Sequence, residues 1–174
     1  MYARENVSSW DETFIEMAEV VAKRSKDPST QVGACIVSSE NKILSLGYNG
    51  APRGWNDTSF PWSRDSDNPL DTKYPFVIHA ERNAVLNFSG IHSQLNGSKI
   101  YVTHFPCNEC AKEIAQVGIS EVIFLNAHDL DSGDLATSAS KKIFESCGIT
   151  VSQITRGSAG TYLDILVNGK SAWS

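Results

Sequence analysis

Apolar residues recur along the chain with two different periods, and the switch between them outlines the fold. Trp10, Phe14, Ala18, Val21 and Ala22 form a stripe at helical spacing. Ser9-Trp10-Asp11-Glu12 reads as the capping box that opens this helix. Asp27-Pro28 closes it, because the residue before a proline disfavours helical backbone. Apolar runs over 32–37 and 43–48 then flank the turn Ser38-Ser39-Glu40-Asn41-Lys42, which predicts an antiparallel hairpin.

Past the hairpin, residues 49–72 are rich in Gly, Pro, Asn, Asp and Ser. A loop this long inside a compact domain is usually functional. Helices expected over 76–88, 107–117 and 134–147 stop at Gly90, Gly118 and Gly148, and alternate with strands over 99–105, 121–127 and 149–154. A further extended segment is expected over 161–167. Alternation of this kind implies right-handed crossovers, so the last three core strands should be parallel. The expected architecture is α/β: a three-layer α/β/α domain whose mixed five-stranded sheet combines the hairpin with parallel strands.

Composition narrows the class. A chain of 174 residues fits one domain, 1–174, large enough to bury a core. Apolar content of 41% and charged content of 20% suit a soluble globule. No run approaches the ~20 apolar residues of a membrane helix. The opening MYARENVSSWDE lacks the apolar centre of a secretory leader. A cytoplasmic location is expected, or the host cytoplasm for a viral protein. The net charge of −5, with no basic cluster longer than Lys23-Arg24, argues against a polynucleotide partner. Proteins that grip nucleic-acid backbones carry basic patches. A small nucleotide needs only two or three cations.

The chemistry lies in two short strings, His79-Ala80-Glu81 and Pro106-Cys107-Asn108-Glu109-Cys110. A lone CxxC is more often a redox pair or half of a structural zinc knuckle. The obvious candidates for a fourth structural ligand fail here: Cys35 lies in a buried strand and Cys147 ends a helix. A redox pair would give no role to His79 or Glu81. His79, Cys107 and Cys110 instead make three ligands, the number that leaves a catalytic zinc one open position. Glu81 then stands two residues from a ligand, placed for proton transfer. The combination H-x-E with P-C-x-x-C is the known signature of zinc-dependent base deaminases. Both strings open helices, whose electropositive N-termini favour thiolate. Glu81 read only as a carboxylate complementing a helix dipole is the weaker account.

From residue 24 to 125 the chain resembles the deoxycytidylate (dCMP) deaminases of the cytidine deaminase superfamily, through RSKDP, QVGACIV, SENKI, GYNGAP, LDTKYPFVIHAE, PCNECAK and EVIF. Free-nucleoside cytidine deaminases usually place Cys where this chain has His79, and fit less well. The resemblance implies a cytidine-deaminase-like fold and zinc-dependent conversion of dCMP to dUMP and ammonia, feeding dTMP synthesis. Glu81 would be the proton shuttle, and the backbone at Ala80 and Pro106 would hold the base. Asn49 would bind the sugar 3′-hydroxyl, or Asn49-Gly50 is simply a turn. Arg24 and Lys26 would bind the 5′-phosphate, or they are a solvated helix end. Relatives of this type are commonly hexamers, activated by dCTP with Mg²⁺ and inhibited by dTTP. The effector is expected at Gly47, Tyr48, Asn49 and Gly50.

Arg82 stands where the resemblance calls for an apolar residue. His104 reads as a buried strand residue, His92 as a surface residue, and His128 as part of a loop after a strand. Competing readings are a deaminase that also takes dCTP or another aminated base, and a zinc-stapled nucleotide-binding module without turnover. Glu81 speaks against the last.

Overall fold

The computed structural model describes residues 3–5, 7–126, 133–156 and 162–168. His128, and the expected strand ends at Ala127 and Thr161, lie outside them. The first helix, α1 (Trp10–Ala22), begins with the capping box: Ser9 Oγ accepts from Glu12 N, and Ser9 N donates to Glu12 Oε2 at 2.7 Å. The helix ends at Ala22, where its apolar stripe ends, five residues before Asp27. The hairpin follows as β1 (Gly33–Val37) and β2 (Ile43–Tyr48), with Asn41 at positive φ in the turn.

The alternating units are α2 (Ala80–Asn87), β3 (Lys99–His104), α3 (Asn108–Gln116), β4 (Glu121–Asn126), α4 (Leu135–Ser146) and β5 (Thr150–Arg156). Strand order is β2-β1-β3-β4-β5-β6, and β3, β4 and β5 run parallel as expected. The five expected strands are joined by a sixth, β6 (Tyr162–Asn168), antiparallel along β5 and close to the extended segment anticipated over 161–167.

Central strands are buried on both faces, so their sequences read as apolar runs without alternation. Ala34, Ile36, Ile100, Val102, Val122 and Phe124 pack with α2, α3 and α4. Cys35, Val37, Tyr101, Ile123 and Leu125 pack on the other face with Phe14, Ile15 and Ala18 of α1. The result is the expected three-layer arrangement. Among the described residues no helix is long and apolar enough to cross a membrane.

The helix expected over 76–88 starts four residues late. Ile78 exchanges both backbone hydrogen bonds with Gly50, at 2.9 and 3.0 Å, and this bridge holds the chain extended up to His79. Gly47 lies in β2, as the run over 43–48 predicts, and is buried against α2. A Cβ there would meet Ala84 N at 2.2 Å and Ala80 O at 2.3 Å. The absence of a side chain therefore sets how closely α2 approaches the sheet. Gly47→Ala should destabilise the fold by about 1–3 kcal/mol, the usual cost of overpacking, measured as a lowered denaturation midpoint. An unchanged midpoint would show that α2 can move off β2 without cost.

Candidate functional site

The end of β3 and the starts of α2 and α3 converge at one edge of the sheet. This is the carboxyl end of the parallel strands, where ligands of α/β folds bind. His79 is the N-cap of α2 and Cys107 the N-cap of α3. Glu81 and Cys110 sit in the first turns of their helices, and both are buried. Neither N-cap side chain makes a capping hydrogen bond, so imidazole and thiol point elsewhere.

They point at each other. His79 Nδ1 lies 3.3 Å from Cys107 Sγ and 3.5 Å from Cys110 Sγ, and the three donor atoms all fall within 4.8 Å. Zn–N bonds of about 2.0–2.1 Å and Zn–S bonds of about 2.3 Å at tetrahedral angles put nitrogen and sulfur about 3.6 Å apart. The donor set therefore has the shape of one face of a zinc tetrahedron. Its protons fit as well. The Cys107 thiol is drawn down to about 4, first by hydrogen bonding from Cys110, with His79 helping. Hydrogen bonding to Cys107 and burial push Cys110 up. His79 rises to about 8, chiefly through its hydrogen bond with Cys107. A divalent cation bound here would displace these protons, which is why such binding is pH-dependent. Glu81 is raised above the ordinary carboxyl range by burial, opposed by the attraction of His79.

The donors open onto a cavity of about 240 Å³. Asp27, Thr30 and Val32 contribute to its wall, with Asn49 and Arg64 from the long loop, Lys73, Tyr74 and Val77 from the stretch between that loop and α2, and His104 and Phe105 from the end of β3. The loop that composition marked as functional thus supplies part of the cavity. Asp27 organises the region. Its Oδ1 accepts from Ser29 N at 2.9 Å and Thr30 N at 3.2 Å; its Oδ2 accepts from Lys73 Nζ at 2.5 Å and Asn49 Nδ2 at 3.3 Å. Asn49 also donates to Thr30 O and accepts from Val32 N at 2.8 Å, so its amide is held in one orientation.

The structure brings together His79, Ala80, Glu81, Cys107 and Asn49 as cavity-lining residues, with Cys110 behind Cys107 and Pro106 between two lining residues. It does not bring Arg24 or Lys26 there. Arg24 is exposed beyond the end of α1, and Lys26 forms an ion pair with Asp57. The cations on the wall are Lys73 and Arg64. Lys73 was legible within LDTKYP and Asp27 within RSKDP, but their pairing spans 46 positions and no local pattern announces it. Arg64 had only its membership of the loop to mark it. Of the expected effector residues, Gly47 and Tyr48 belong to β2 and Gly47 is covered by α2. His104 is half-buried on the cavity wall, with Nδ1 3.1 Å from Thr103 Oγ1, whereas His92 is exposed as expected. Arg82 is exposed, and its Nε donates to Glu113 Oε1 of α3 at 2.6 Å.

Comparison with known proteins agrees with this geometry. Residues 8–126 match the family described as the cytidine and deoxycytidylate deaminase zinc-binding region. The Homo sapiens deoxycytidylate deaminase is 51% identical over 147 residues, which span 84% of this chain and 80% of that protein. A probable deoxycytidylate deaminase of Drosophila melanogaster is 46% identical over 153 residues, 85% of this chain and 73% of that one. The crystal structure of dCMP deaminase from the cyanophage S-TIM5, in complex with dCMP and dUMP, superposes with a TM-score of 0.64 at 28% identity, covering 82% of this chain and 94% of the phage chain. With a three-donor site at two helix starts and a match over most of its length, the chain belongs to the cytidine and deoxycytidylate deaminase zinc-binding family.

Proposed function

We propose that this chain, acting as a single deaminase domain, catalyses the hydrolytic deamination of dCMP to dUMP and ammonia. The observation that carries the reading is the buried Glu81 carboxyl beside the His79–Cys107–Cys110 donor set, at a cavity of nucleoside size. Half-identity to the human deoxycytidylate deaminase and the dCMP- and dUMP-bound phage relative support the substrate.

His79, Cys107 and Cys110 would hold the zinc, which when bound supplies a water of lowered pKa as nucleophile. Burial raises the proton affinity of Glu81, which suits a group that must both take a proton and give it up near neutral pH. It accepts the first proton of the attacking water and passes it to ring N3, then takes the second from the C4 hydroxyl and delivers it to the amine as the C4–N bond breaks and the C4 carbonyl forms. Ala80 is the first residue of α2, where leading N–H groups have no partner within the helix, so its amide can donate to the base carbonyl. Pro106 has no N–H, and its carbonyl can only accept, as the exocyclic amine requires. Asn49 Oδ1 accepts from Val32 N and retains a second lone pair for the sugar 3′-hydroxyl.

Glu81→Gln should retain stoichiometric metal and lose at least ~10²-fold in turnover, as expected for a lost acid–base group. Cys107→Ala and Cys110→Ala should lose the metal together with some stability, because the ligands tie two helix starts together. Full zinc in both cysteine variants would overturn the coordination. Assaying dCMP, dCTP, deoxycytidine and cytidine side by side tests the substrate: turnover of another member ahead of dCMP would replace this reading.

The same reading includes regulation: activation by dCTP with Mg²⁺ and inhibition by dTTP, in an assembly of several copies such as a hexamer. Two contacts support a link from the end of β2 to the catalytic helix. Asn83 Nδ2 of α2 donates to Tyr48 O at 2.7 Å, and Gly50 pairs with Ile78, next to His79. An effector that moved Tyr48–Gly50 would move the start of α2. Such coupling is typically ~1–3 kcal/mol and is reciprocal in binding. Equilibrium titration should therefore show dCTP tightening a substrate analogue and the analogue tightening dCTP by the same factor. Hyperbolic dCMP kinetics indifferent to both triphosphates would remove the regulatory part alone.

A further inference from the structure

A nucleoside monophosphate differs from its nucleoside by a dianionic group, and the cavity wall carries two Lys or Arg side chains among the described residues, Lys73 and Arg64. They are not equivalent. Lys73 is 5% exposed and its ammonium sits 2.5 Å from the buried Asp27 carboxylate, so its charge is already matched. Arg64 is exposed and forms no ion pair with any described residue. Its Nε donates to Tyr74 Oη at 3.2 Å, which directs the guanidinium while leaving both terminal nitrogens without a protein partner among the described residues. Asp65 and Asp67 stand nearby on the adjoining groove, and neither pairs with it.

Position agrees with charge. Arg64 and Tyr74 line both the cavity and a second, more open groove, which places them at the rim where the two meet. Ala80 and Glu81 are buried, at the inner end. The cavity, about 240 Å³, is smaller than the roughly 300–1,000 Å³ of pockets that enclose drug-sized ligands. A base placed against Glu81 and a sugar beside Asn49 would use that space, and a 5′ substituent would emerge at the rim. A planar guanidinium with free terminal N–H groups matches phosphate oxygens in a bidentate manner.

Resting on the proposed dCMP deamination, we infer that Arg64, oriented by Tyr74, anchors the substrate 5′-phosphate and sets the preference for a nucleotide over a nucleoside. Arg64 contacts substrate but no reacting atom, so its loss acts on binding. The test compares the full-length zinc protein with Arg64→Ala, Arg64→Lys and Tyr74→Phe on dCMP and on deoxycytidine, with dUMP and deoxyuridine titrated as binding probes. Arg64→Ala should raise KM for dCMP about 10-fold or more, the range for a lost charge-assisted contact. The ratio of kcat/KM for dCMP over deoxycytidine should fall by the same factor, with zinc content retained. Arg64→Lys should recover part of that ratio, since charge returns without the fork, and Tyr74→Phe should lower it less than Arg64→Ala. Binding should weaken for dUMP and not for deoxyuridine.

Equal losses on both substrates, or an unchanged KM for dCMP, would overturn the anchor while leaving the deaminase reading intact. A phosphate-specific loss in His104→Ala that is absent from Arg64→Ala would do the same. Absence of dCMP turnover in the unsubstituted protein would overturn both.

Discussion

The buried carboxylate of Asp27 is the interaction on which the site depends. Its four donors come from three stretches of chain: the turn after α1, the residue ending the hairpin, and Lys73 just past the long loop. A charge taken out of water must be both paired and hydrogen-bonded, and here each oxygen of Asp27 has two donors. The pair with Lys73 need not stabilise the fold relative to an apolar substitute, but removing one partner would strand a buried charge at a cost of about 3–5 kcal/mol. What the network achieves is geometry. It holds Asn49, Thr30 and Lys73 at fixed positions around one cavity.

The opposite wall is set by a different kind of constraint. Gly47 lets the start of α2 lie almost on the backbone of β2, and the Gly50–Ile78 bridge stops the chain from becoming helical before His79. Together these bring His79 to the N-cap and Glu81 into the first turn, within reach of the helix that carries Cys107 and Cys110. The Arg82–Glu113 pair spans the same two helices outside the core. Exposed pairs contribute little, typically about 0–1 kcal/mol. Ala80, Ala84, Ala111 and Ile114, all fully buried, are the stronger tie.

Residues close in sequence carried what could be read in advance. The capping box at Ser9, the hairpin, the parallel run of β3, β4 and β5, and the donor set of His79, Cys107 and Cys110 depend on spacing within one element or on a motif whose chemistry admits few alternatives. Zinc chemistry in particular demands nitrogen and sulfur ligands in small number, so four residues in two short strings suffice to indicate it.

Tertiary structure alone decided which charges line the cavity. Arg24 and Lys26 lie within RSKDP and do not line the cavity, while Lys73 and Arg64, in irregular chain between β2 and α2, do. A loop without periodicity gives no rule for which side chain points inward, because its path is set by partners far away in the chain: Asp27 for Lys73, Gly50 for Ile78. The metal chemistry was written locally, in donors that must be near one another whatever surrounds them. The choice of cations on the cavity wall was not, because burial and long-range pairing determine which cation is neutralised and which stays available.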